Sequence, residues 1–261
     1  MNENEAIRWF DRPWAALIFF TRLPLWRIYQ PPKDSYKAVV EFWPLAGWLT
    51  GGIMAATLYL GSMALPWAVT VVAAIAMRML VTGALHEDGL ADFLDGMGAG
   101  GDRERILAIM KDSHIGTYGV LGLVIYVLLL GAALYSMPPA MAALTVLAAD
   151  PYAKMVSSQV VIMLPYARSE DQAKNKTIYR KPTAAAGVGL TVQGLLPMAL
   201  MIWLTGISWY TVIIVPAVVM YFLYLLLLHK IKGYTGDCCG AICLLVELSV
   251  YLAACSQLIA S

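Results

Sequence analysis

LHEDGLADFLDGMGAGGDRERILAIMKDSHIGTYG, residues 85–119, is an island of charge in a chain of 261 residues of which 60% are hydrophobic. Carboxylates are too costly beside lipid to be kept there without a task. Glu87, Asp88, Asp92 and Asp95 fall within nine residues. On a helix of 3.6 residues per turn, Asp88, Asp92 and Asp95 project within about 60° of one another. Like charges on one face repel, and a hard divalent cation between them relieves the repulsion. Oxygen ligands of this kind suit Mg²⁺ bound together with substrate phosphates. The spacing therefore predicts a helix carrying Glu87, Asp88, Asp92 and Asp95 as metal ligands.

Outward from the island the chain turns apolar. Seven stretches approach the roughly 20 residues needed to cross a bilayer: Phe42–Leu65, Pro66–Leu85, Tyr118–Met137, Pro139–Leu164, Ala184–Leu204, Ser208–Leu228 and Cys239–Ala260. An eighth, Trp14–Trp26, is short and interrupted by Arg22 and Pro24. It reads as an interfacial or re-entrant helix. The expected fold is all-α, a polytopic integral membrane helical bundle forming one domain over residues 1–261, with the acidic loop at 86–117 as its catalytic part.

The connections Gly61–Pro66, Ser136–Pro139 and Thr205–Ser208 hold no charge. Arg8, Arg12, Arg22, Arg27, Lys33 and Lys37 precede the first span, and Arg103, Arg105 and Lys111 lie in the island. Arg168, Lys174, Lys176, Arg180 and Lys181 follow the fourth span, and Lys230 and Lys232 the sixth. By the positive-inside rule all of these loops face the cytoplasm. The net charge of +1 argues against nucleic acid as a partner and leaves the lipid bilayer and small molecules. Nothing in MNENEAIRWFDRPW resembles a cleaved secretory signal. The four cysteines, Cys238, Cys239, Cys243 and Cys255, form neither a CxxC pair nor a disulfide framework and read as small packing residues. Gly47 and Gly51 form a GxxxG pair, read as packing inside the bundle; self-association into a homo-oligomer is left open.

Basic residues close behind the carboxylates fit a polyphosphate substrate, with Arg105 and Lys111 as candidate phosphate ligands. Gly96, Gly98 and Gly101 match G-x-G-x-x-G in letters, but no strand precedes them, so they read as the end of the acidic helix. His86 and His114 are candidate general bases, His86 the stronger for its place beside the carboxylates. Asp237, in TGDCCGA, is either a helix cap or a further ligand at the substrate phosphates. Arg78, Asp150, Lys154 and Glu247 fall within spans and should face the bundle interior. Asp150 and Lys154 stand at the favoured i,i+4 spacing.

FFTRLPL (19–25), PLAGWLTGG (44–52), HEDGLADFLDG (86–96), RILAIMKDSHIGTYG (105–119), PYAR (165–168) and TGDCCGA (235–241) together resemble the cobalamin-5′-phosphate synthase family, also called adenosylcobinamide-GDP ribazoletransferase. The resemblance implies a multi-pass enzyme of the bacterial inner membrane, its active site facing the cytoplasm. Its substrates would be adenosylcobinamide-GDP and α-ribazole or α-ribazole 5′-phosphate, and GMP the leaving group. On that reading Asp92, Asp95 or His86 takes the proton of the attacking hydroxyl. Two other readings of the island are a CDP-alcohol phosphatidyltransferase-like lipid enzyme and a cation-coupled permease. The first has a longer aspartate pattern than Asp88, Asp92, Asp95. The second would place its charges nearer the bilayer midplane.

Overall fold

The computed structural model describes residues 7–168 and 179–259. Residues 1–6, and Lys174 and Lys176 of the fourth-span loop, lie outside them. Among the described residues ten α-helices follow one another: α1 (Asp11–Phe20), α2 (Trp43–Gly61), α3 (Trp67–Thr82), α4 (Leu85–Ala99), α5 (Arg103–Ile109), α6 (Thr117–Tyr135), α7 (Pro139–Met163), α8 (Ala184–Thr205), α9 (Trp209–Lys230) and α10 (Gly236–Ser256). Each of the seven apolar stretches contains a helix, α2, α3 and α6 to α10 in turn; Ala260, the end of the last stretch, lies outside the described residues.

Five helical stretches among the described residues are long and apolar enough to cross a membrane: Lys33–Gly61, α6, α8, α9 and α10. A sixth crossing forms if α3 and α4, bent by 91° at their junction, count as one broken span. The remaining long helix, α7, has 25 residues and packs against α2, α8 and α10. It needs less hydrophobicity because its neighbours are protein rather than lipid, and its buried surface is largely Ala, Ser and Val. The apolar windows of α6, α8 and α9 are only 28%, 28% and 22% buried, against 78% for α10. The first three therefore form the lipid-facing wall, while α7 and α10 form the centre. The chain is an all-α, polytopic membrane protein.

Close backbone approach sets the packing. A Cβ on Gly47 would fall 2.8 Å from the Pro151 Cα, and one on Gly51 would fall 3.0 Å from the Asp150 Cβ. The GxxxG pair thus seats α2 on α7, inside the bundle, as expected from the sequence. The turn between α3 and α4 passes through Gly83 at φ +64° and Ala84 at φ +54°. Arg22 covers that turn: its N–H donates to the Val81 carbonyl at 2.7 Å, and a Cβ on Gly83 would fall 2.3 Å from the Arg22 Nε. Helix α1 has ten residues, about 15 Å, and is too short to cross. It is anchored by buried Asp11, which accepts from the Tyr29 hydroxyl at 2.6 Å and the Arg8 N–H at 2.7 Å.

The uncharged turns sit against helix ends: the Trp67 Nε1 donates to the Tyr135 carbonyl at 3.0 Å, and the Ser208 N–H to Gln257 at 2.7 Å. The charged connections likewise meet one another. Arg103 donates to the Ile231 and Ala167 carbonyls at 2.8 and 2.6 Å. Arg168 donates to the Leu107 carbonyl at 3.1 Å, and Arg12 and Arg180 both approach buried Glu41, at 3.1 and 3.6 Å. The charge asymmetry read along the sequence is therefore an asymmetry in space.

Candidate active site

Helices α4 and α10 touch through glycine. A Cβ on Gly89 would meet the Asp237 carbonyl oxygen at 3.0 Å, and one on Gly240 would meet the His86 Cα at 3.4 Å. This contact sets the start of α4 beside the start of α10, where Thr235 accepts the Cys238 N–H at 3.3 Å as the N-cap. A cleft opens there, lined by His86, Asp88, Lys154, Ser157, Tyr166, Arg168 and Asp237, and by Phe19, Phe20, Trp43 and Tyr179.

The four carboxylates read as one metal cluster do not converge. Asp88 is exposed and lines the cleft. Glu87 points the other way and lies 3.3 Å from the Arg78 guanidinium, inside the bundle. Asp95 accepts the backbone N–H groups of Gly116 and Gly119 at 2.7 and 2.8 Å, so its carboxylate caps the N-terminus of α6 from a neighbouring helix. Asp92 is half-buried and does not line the cleft. The physical reason is axial: Asp88 and Asp95 share a face but lie seven residues, about 10 Å, apart along the helix. Among the described residues no three His, Cys, Asp or Glu side chains are grouped to hold a metal ion. Two carboxylates, Asp88 and Asp237, do line one cleft, and Mg²⁺ is commonly bound by one or two carboxylates with substrate phosphates supplying the rest.

The candidate phosphate ligands divide in the same way. Asp237 is buried at the cleft, its Oδ2 3.6 Å from the Arg168 Nη1. Arg105 and Lys111 are exposed and lie outside the cleft lining. The Arg105 backbone N–H is taken by Asp102, the N-cap of α5, at 2.9 Å. The cations of the cleft are instead Arg168 and Lys154. His114 is exposed and pairs with Asp112 at 2.7 Å; its backbone N–H, donating to the same carboxylate, holds Asp112 below the usual carboxylate range. His86 is 6% exposed, lines the cleft and stacks on Phe20. Burial pushes the Tyr166 hydroxyl up, leaving it a neutral donor at the rim.

The intramembrane charges are paired. The Arg78 Nη1 donates to both Glu247 oxygens at 2.9 and 2.8 Å, and its Nη2 to the Tyr126 hydroxyl at 2.5 Å. Tyr251 donates to the same Glu247. Lys154 pairs with Asp150, which also accepts from Thr50 at 2.5 Å. The expected Asp150–Lys154 pair therefore forms, and it also brings the lysine to the cleft. The four cysteines are free; Cys239 and Cys243 line the cleft floor.

Arg168, Ser157, Tyr166 and Trp43 were not among the residues singled out for chemistry. Each comes from a segment remote from the island, so no local spacing marks it. The only signal is that Tyr166 and Arg168 fall in the PYAR stretch, as Phe19–Phe20 of the cleft fall in FFTRLPL.

Residues 12–255 match the family model described as CobS, cobalamin-5-phosphate synthase. Among curated relatives, the protein of Shewanella frigidimarina named adenosylcobinamide-GDP ribazoletransferase is 34% identical over 255 residues, 96% of each chain. That of Leptothrix cholodnii, with the same name, is 35% identical over 245 residues, covering 91% of this chain and 92% of its own. No solved structure matches.

Proposed function

The chain belongs to the cobalamin-5-phosphate synthase family, and from that premise we propose that it joins adenosylcobinamide-GDP to α-ribazole or α-ribazole 5′-phosphate with release of GMP. One observation carries the reading beyond the family name. Asp88 and Asp237 line a single cleft with Arg168 and Lys154, at the end of the bundle where the charged loops meet. That is the mixture of anions and cations a phosphoanhydride requires.

In this reaction the ribazole hydroxyl oxygen bonds to the corrinoid-side phosphorus, the bond from that phosphorus to the bridging oxygen breaks, and GMP departs with that oxygen. Asp88 and Asp237 are the residues that would hold Mg²⁺ against the diphosphate. When bound, the ion neutralises phosphate charge and polarises the phosphorus under attack. Arg168 and Lys154 take up charge as it accumulates on the departing GMP. His86 accepts the hydroxyl proton, being the candidate base that lines the cleft. Asp95 is engaged with α6, which removes it from this role. The gathered basic loops support, by the positive-inside rule, a cleft that faces the cytoplasm from the bacterial inner membrane.

The test is release of GMP from adenosylcobinamide-GDP by purified protein in lipid, with α-ribazole 5′-phosphate as acceptor, with and without Mg²⁺. Metal-dependent release with a cobalamin product is the expected result. Folded protein that releases no GMP, or releases it equally in excess chelator, would contradict the reaction or the metal respectively.

A further inference from the structure

Phe19, Phe20, Trp43 and Tyr179 line the cleft and close on one another in a cycle of edge-to-face contacts. Centroid separations are 5.1 Å for Phe19–Phe20, 5.7 Å for Phe20–Trp43, 5.4 Å for Trp43–Tyr179 and 6.1 Å for Phe19–Tyr179. His86 stacks on Phe20 at 5.5 Å with planes 10° apart. Two ring nitrogens in this corner, the Trp43 Nε1 and the His86 Nε2, are shut from water and have no hydrogen-bond partner among the described residues. Leaving such a group dry and unpaired is unfavourable, and native structures keep few of them. Two in one cleft wall point to a ligand that supplies the missing bonds.

The chemistry of the two atoms specifies that ligand. An indole N–H only donates, so it requires an acceptor; an imidazole nitrogen can receive a proton. Aromatic walls with edges and faces on offer suit a flat ring. Both substrates carry a heterocycle, and desolvation decides between them. Guanine has polar groups around most of its edge, and in an apolar corner with a single donor most would stay unpaired. A benzimidazole has one free ring-nitrogen acceptor and otherwise apolar edges. The sugar hydroxyl attached to it has a proton to lose; the departing guanosine has none to give up there.

We propose that the Phe19–Phe20–Trp43–Tyr179 box binds the heterocyclic base of the accepting nucleoside. The Trp43 N–H donates to the ring nitrogen of that base, and His86 faces the ribose hydroxyl of the same molecule. The assignment rests on the acceptor proposed above. Because both nitrogens are closed to water, the base reaches them as the rings part. It then competes with no solvent for their hydrogen bonds. Bases with apolar edges are preferred over purines for the same reason.

Trp43→Phe removes the N–H and keeps an aromatic ring; Phe20→Leu removes a wall of the box. Steady-state GMP release should show the KM for α-ribazole 5′-phosphate raised roughly 5- to 10-fold in Trp43→Phe, as expected for one lost hydrogen bond. The KM for adenosylcobinamide-GDP should not move. A rise confined to the adenosylcobinamide-GDP KM would overturn the proposal by giving the box to guanine, and no change in either KM would overturn it outright. Equilibrium binding of α-ribazole 5′-phosphate and of GMP to protein in nanodiscs reads the box without turnover. Weakened binding of the nucleotide acceptor in both variants supports the box even in a protein that released no GMP, where the reaction alone would have failed. Unchanged acceptor binding in both variants refutes the box whatever the turnover.

Discussion

Asp95 accepts the backbone N–H groups of Gly116 and Gly119, and the two glycines are what let it in. A Cβ on Gly116 would lie 2.5 Å from the Asp95 Oδ1, and one on Gly119 2.4 Å from its Oδ2. Asp95→Ala leaves both donors without a partner at the start of α6. The expected loss is about 1–3 kcal/mol, read as a lower midpoint of thermal unfolding in detergent. Asparagine keeps one acceptor but turns an amide NH₂ toward the second donor, so Asp95→Asn should recover only part of the loss. An unchanged midpoint in Asp95→Ala would show that the carboxylate does not cap α6. This residue also shows where reading by helical angle stops. Asp88, Asp92 and Asp95 do share a face, but an angle around an axis does not say which neighbour each meets along it. The partner of Asp95 stands more than twenty residues away in the IGTYG stretch, and no spacing within the island announces it.

At the scale of helices, the α3–α4 bend places the site. Gly83 has φ +64° and faces the Arg22 side chain. A left-handed conformation disfavours any Cβ by about 1–2 kcal/mol, and the collision with Arg22 adds to it. Gly83→Ala should lower both stability and turnover, since α4 carries Asp88 into the cleft; full turnover in that variant would contradict this role of the bend. The second device at this scale is Arg78, on α3, which holds Glu87 of α4, Glu247 of α10 and the Tyr126 hydroxyl of α6. Arg78→Met strands two buried carboxylates and should destabilise by about 3–5 kcal/mol. Adding Glu247→Gln should restore a measurable part, because the two sites share one charge balance. Strict additivity in denaturant titrations would refute that coupling. The helices themselves were legible from hydropathy, because lipid-facing and core-facing spans are both apolar. The bend was not: Gly83 and Ala84 sit inside the apolar run Pro66–Leu85, and the left-handed backbone and the Arg22 contact that mark the break belong to the folded chain.

For the whole molecule, the sequence pattern of charged and uncharged loops corresponds to loops that meet in space. Arg103 ties the start of α5 to the segments after α7 and α9, and Arg168 returns the contact to α5. Cysteines introduced singly at Lys111 and Lys230 should label only from the cytoplasmic side of sealed vesicles, and one at Ser136 only from the other. Labelling of Lys111 and Ser136 from the same side would contradict the orientation. What the sequence could not convey is convergence. The cleft draws on α1, α2, α4, α7, α10 and the segments after α7, so Arg168, Trp43 and Lys154 become neighbours of Asp88 only through tertiary packing.

The central claim is that Asp88 and Asp237 hold the diphosphate end of the substrate while Asp95 holds the protein together. GMP release and unfolding midpoint, measured together on Asp88→Asn, Asp237→Asn and Asp95→Asn, test it most directly. Asp88→Asn and Asp237→Asn should lose roughly 100-fold or more in turnover, with Asp88→Asn unchanged in midpoint because its side chain is exposed. Asp95→Asn should show the lowered midpoint. Full turnover in Asp88→Asn, or a stable Asp95→Asn with abolished turnover, would contradict the account and return Asp95 to the chemistry.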